Sequence, residues 1–69
     1  MHSGTIVKLR LDKGFGFIAE PNQPDLFFHA NDLCDDLPFD ETLQERRVRF
    51  DVLETGRGPR AKNVRPADD

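Results

Sequence analysis

The sequence has a single cysteine, Cys34, in 69 residues, so no disulfide framework can staple the chain, and a reducing, intracellular setting is expected. No apolar run approaches the roughly 18 residues of a membrane span, and Met1-His2-Ser3-Gly4 lacks the basic and apolar regions of a secretory leader. These absences predict a cytoplasmic protein. Two histidines and one cysteine do not make a metal-ligand set, and neither a nucleophile with its base nor a phosphate-binding loop is present. The paired carboxylates Asp35-Asp36 and Asp40-Glu41 read as solvated loop. Neither an enzyme, a metal site nor a cofactor is therefore expected. Internal repeats and low-complexity tracts are also missing, and the length leaves room for one small domain, residues 1–69, with its folded part at about 4–65.

What is present is enough apolar material for one core. Leu, Ile, Val and Phe make up 19 of the 69 residues, above the roughly one-fifth level that accompanies intrinsic disorder. The net charge of −3 argues against a generic polyanion binder, but the charges are segregated. Residues 14–45 hold eight acidic side chains and neither Lys nor Arg; Lys8, Arg10 and Lys13 precede that block, and seven basic residues from Arg46 to Arg65 follow it. A fold that brings the two flanks together makes one locally basic face.

The hydrophobic spacing is that of short strands. Thr5 to Arg10 is a β-rich run ending in the turn Leu11-Asp12-Lys13-Gly14, which predicts a hairpin with Phe15 to Glu20. Pro21-Asn22-Gln23-Pro24 stops that strand, because proline cannot donate to a ladder, and Asp25 to His29 forms the third. Ala30 to Glu45 reads as the long connection, with one helical turn capped by Asn31 or Asp32. Arg46 to Glu54 alternates again, Thr55-Gly56-Arg57-Gly58-Pro59 breaks it, and Ala61 to Arg65 is the last strand. His2 reads as a frayed terminus. Five short strands without a long helix predict an all-β protein, a five-stranded antiparallel barrel closed to remove its edges.

Alternation then sorts the side chains. With Val7, Ile18, Leu26, Phe28, Val48, Phe50 and Val52 inside, Phe15, Phe17, Phe27 and His29 share the outer face next to Lys13. A Phe in a small domain is ordinarily core. Here both faces of two successive strands are apolar, and a barrel of this size has one interior to fill. An outer patch of rings beside cations suits unpaired nucleobases, which stack on aromatic side chains at about 1–3 kcal/mol each while cations hold the phosphates.

Lys13-Gly14-Phe15-Gly16-Phe17-Ile18 followed by Asp25-Leu26-Phe27-Phe28-His29 resembles the two ribonucleoprotein motifs of the bacterial cold-shock domain family, in that family's order. RNA recognition motifs carry similar pieces in the reverse order, on a fold that needs helices. Gly4-Thr5-Ile6-Val7-Lys8 and Arg57-Gly58-Pro59-Arg60-Ala61-Lys62-Asn63-Val64 are similar to the family's two ends, so the resemblance runs from about Gly4 to Arg65. It implies an oligonucleotide-binding (OB) barrel that takes single-stranded RNA or DNA and acts as an RNA chaperone or regulator of transcription or translation. It also implies a binding face of Lys8, Lys13, Phe15, Phe17, Phe27 and His29, with Phe39 as the loop aromatic and Arg57 as the basic residue of the last loop. Arg10 and Arg60 add cations to that face.

The departures are specific. Lys8-Leu9-Arg10-Leu11 stands where the family typically has Lys-Trp-Phe-Asn, Ala30 replaces a further Phe, the turn before Lys13 is one residue shorter, and the 30–39 loop is one longer. Leu9 has two placements: the family pattern puts it on the rim, strict alternation puts it in the core. Together with the acidic middle, the thinner aromatic set supports the alternative of a cold-shock-like barrel with a protein-interaction role. A monomer is the default expectation for the oligomeric state.

Overall fold

The computed structural model describes residues 2–34 and 37–67. The carboxylate pair Asp35-Asp36 lies outside the described residues. Five strands form the structure: β1 (His2–Arg10), β2 (Phe15–Ala19), β3 (Leu26–His29), β4 (Arg47–Thr55) and β5 (Gly58–Pro66). They close into a barrel in the order β1-β2-β3-β5-β4. All neighbours run antiparallel except β3 and β5, which meet in parallel at Phe27 and Arg60. Closure pairs each strand with two others, which removes the exposed edges that invite aggregation. Among the described residues no helix is long and apolar enough to cross a membrane.

The core is built from Ile6, Ile18, Leu26, Phe28, Leu37, Leu43, Val48, Phe50, Ala61 and Val64. Val7 is not among them, contrary to the alternation reading; it is 42% exposed. The cause is a β-bulge. Ile6 pairs with Ile18 and Lys8 with Phe17, so β1 spends two steps where β2 spends one, and Val7 is the extra residue. The phase shift turns Ile6 inward, and its backbone is bonded from the far side by residues 45 and 46: Ile6 N–H donates to Arg46 O at 3.0 Å and Glu45 N–H donates to Ile6 O at 2.7 Å. A second irregularity lies in β5. Asp51 pairs with Lys62 and Arg49 with Arg65, and the surplus residue on β5 includes Asn63 at φ 52°. That bulge lets Ala61 and Val64, three residues apart, both face the interior.

Two further corrections concern the N-terminus and the connection. His2 is not frayed: it pairs with Phe50, stacks on that ring at 5.8 Å, and its Nδ1 lies 3.0 Å from a Glu20 carboxylate oxygen. The turn Ala30–Asp32 is a single 3-10 turn capped by His29, rather than by Asn31 or Asp32, and a second 3-10 turn, Glu41–Leu43, is capped by Asp40. The connection also supplies two core residues, Leu37 and Leu43. Asp40 accepts hydrogen bonds from the Thr42 hydroxyl and the Thr42 N–H, the hydroxyl being the stronger influence, and these hold its carboxyl below the usual carboxylate range. The cap is therefore complete at neutral pH and is lost only as acid protonates Asp40.

Candidate nucleic-acid interface

On β2 and β3 the alternation is clean. Gly16, Ile18, Leu26 and Phe28 point inward and are buried, while Phe15, Phe17, Phe27 and His29 point outward and are half-buried. Gly16 is required by this arrangement, because a Cβ there would sit 2.7 Å from Lys8 O and 2.9 Å from the Phe28 ring. The strand register then lines up the outward side chains. Phe15 pairs with His29 and Phe17 with Phe27. The three phenyl rings contact one another, with centroids 5.4 Å apart for Phe15 and Phe27, 5.9 Å for Phe15 and Phe17, and 6.0 Å for Phe17 and Phe27. Edge-to-face packing holds two of these pairs and fixes the rings as one surface.

Cations flank the rings on both sides. Lys8 pairs with Phe17 and Arg10 with Phe15 on β1, and both are exposed. On the other side Arg60 of β5 pairs with Phe27, and its guanidinium carbon lies 5.8 Å from the Phe27 centroid. One row across the barrel thus reads Lys8, Phe17, Phe27, Arg60, and a shorter one reads Arg10, Phe15, His29. Lys13 is exposed in the turn joining β1 to β2, where Lys13 N–H and Gly14 N–H both donate to Arg10 O. Gly14 adopts φ 78°, the left-handed region a glycine occupies without strain, and its carbonyl accepts from Ala30 N–H at 2.8 Å, which docks the turn against the end of β3. The His29 ring is oriented too: its Nδ1 accepts from Asn31 N–H at 3.1 Å, so a neutral ring carries its hydrogen on Nε2.

Arg57 sits exposed at the β4–β5 turn, where its N–H donates to Thr55 Oγ1 at 3.2 Å. With Phe27, Thr55, Gly58, Pro59 and Arg60 it lines a recess of about 280 Å³, which extends the ring surface past Phe27. Sequence reasoning did not find Thr55 and Pro59; their nearness to Phe27 depends on the parallel β3–β5 contact, which no local pattern announces. The structure does not bring Phe39 to the rings. It packs edge-on against Phe28 at 6.4 Å and belongs to the margin of the core.

Leu9 follows the alternation rather than the rim placement. It pairs with inward-facing Gly16 and packs against the core. Leu9→Trp is expected to overpack this position and cost about 1–3 kcal/mol of stability with no gain in oligonucleotide affinity. A thermal melt and a binding titration check both halves; tighter binding by an intact variant would return Leu9 to the rim.

A closed barrel of this strand order, with rings and cations spread over β1, β2 and β3, is an OB-fold barrel. The chain belongs to the cold-shock family, whose 'Cold-shock' DNA-binding domain model matches residues 2–67, and is thereby a member of a nucleic-acid-binding class. It is 45% identical over 64 residues to a cold shock-like protein of Aquifex aeolicus, covering 90% of this chain and 89% of that protein. It is 37% identical over 68 residues to cold shock protein ScoF of Streptomyces coelicolor and 37% identical over 67 residues to cold shock protein CspC of Bacillus subtilis, in each case over 97% of this chain and 100% of the relative.

Proposed function

We propose that this protein binds single-stranded RNA or DNA on the outer face of β1–β3 and acts in the cytoplasm as an RNA chaperone or a regulator of transcription or translation. The observation that supports it is the contact set of Phe15, Phe17 and Phe27, held outward by the same register that places Lys8, Arg10 and Arg60 beside them. Unpaired bases stack on the rings and on His29, the cations meet the phosphates between them, and no bond is made or broken. A duplex hides its base faces in its own stack, so such a surface favours the unpaired strand and opens RNA structure by mass action.

Salt dependence tests this directly. Lys8, Arg10, Lys13, Arg57 and Arg60 are the cations this reading assigns to phosphates, and each phosphate neutralised on a single strand contributes about −0.7 to the log–log slope. Three to five contacts predict a slope of about −2 to −3.5. Lys13→Glu is expected to weaken binding and flatten the slope. A slope near zero together with indifference to Lys13 would remove nucleic acid as the ligand and leave the protein-interaction role.

A further inference from the structure

We propose that Asp32 is a positioning residue for nucleic-acid binding, whose carboxylate holds the Arg60 guanidinium at the Phe27 ring, so that removing this negative charge weakens binding although it makes the face more positive. The proposal rests on the nucleic-acid reading above.

Asp32 is a poor choice for a polyanion-binding face on charge alone, yet it contacts two residues of that face, His29 and Arg60. Its Oδ2 accepts from an Arg60 terminal nitrogen and also from His29 N–H, the latter at 2.9 Å. One carboxylate oxygen therefore joins the end of β3 to the cation of β5. The Asp32 side chain is 14% exposed and that of Arg60 33%, so the pair is shielded from much of the solvent screening that makes surface ion pairs ineffective. Among the described residues Arg60 Nε has no hydrogen-bond partner, and the carboxylate and the Phe27 ring are the contacts that orient the guanidinium.

The consequence follows from side-chain entropy. A free arginine samples many rotamers and must be ordered when a ligand arrives; one already clamped over Phe27 presents its donors without that loss. Arg60 has five N–H donors, and Asp32 engages one nitrogen, so the guanidinium retains donors for a phosphate or a base edge beside Phe27. The partial neutralisation by Asp32 opposes this gain. The two effects have opposite signs in a single substitution, so the sign of the net change shows which is larger.

The test measures affinity of the parent, Asp32→Asn, Asp32→Ala, Arg60→Ala and the Asp32→Ala/Arg60→Ala double variant for a labelled short oligothymidylate, with a thermal melt of each. Asn keeps an oxygen for His29 N–H, so Asp32→Asn serves where Asp32→Ala disturbs the turn. Positioning predicts that both Asp32 variants bind about three- to thirtyfold more weakly, within the range of couplings between contacting residues, and that the double variant binds no more weakly than Arg60→Ala alone. Equal or tighter binding by Asp32→Asn overturns the proposal, and so does an equal loss with and without Arg60, which would assign the effect to the His29 cap. If the parent itself fails to bind oligothymidylate, the functional reading falls and takes this proposal with it.

Discussion

Alanine at Phe28 is expected to unfold the protein, whereas alanine at Phe27, the preceding residue, is expected to leave it folded. Phe28 is fully buried, contacts Phe39 edge-on and fills the space that Gly16 leaves open. Buried Phe→Ala substitutions cost about 3–5 kcal/mol, and a chain of this length has roughly 3–10 kcal/mol to lose. Phe27 faces outward, so its removal leaves no buried cavity and forfeits contacts with two rings worth about 1–3 kcal/mol, with a smaller share from Arg60. Urea unfolding followed by circular dichroism separates the two, since the absence of Trp and Tyr rules out intrinsic fluorescence as a sensitive probe. Similar midpoints for the two variants would show that the facing of β3 is wrong.

The second large effect is on binding. Phe17→Ala/Phe27→Ala removes the central pair of the ring surface. At about 1–3 kcal/mol per stacked base, and with less than full additivity because the rings touch, the expected loss is about 2–5 kcal/mol in affinity for single-stranded oligonucleotide. Anisotropy of a labelled oligopyrimidine at low salt measures it. Parental affinity in a folded double variant would mean that the rings are not the stacking surface.

The strands of the barrel and the facing of β2 and β3 were legible because they depend on local signals: alternation, the turn at 11–14 and the prolines at 21 and 24. Val7 was misplaced because a bulge is a one-residue change of phase, and its only trace in sequence is the consecutive apolar pair Ile6-Val7. Leu37 and Leu43 were missed because the Asp-rich connection looks solvated as a whole, while its scattered leucines turn into the barrel individually. His2 was misjudged because its partners, Phe50 and Glu20, are distant along the chain. The same holds for the Asp32–Arg60 pair, which joins positions 28 residues apart through the parallel contact of β3 and β5. Phase within a strand is written locally, and contacts across the closure of a barrel are not.

The most direct test of the central claim is a nuclear magnetic resonance titration of the isotope-labelled protein with a short single-stranded oligopyrimidine. Stacking on the outer face of β2 and β3 predicts that the ring protons of Phe15, Phe17 and Phe27 shift most, with the amides of Lys8, Arg10, Lys13 and His29 close behind, while Phe50 and the amides of 40–45 stay in place. No shift at saturating oligonucleotide, or shifts confined to the acidic connection with the three rings unmoved, would contradict it.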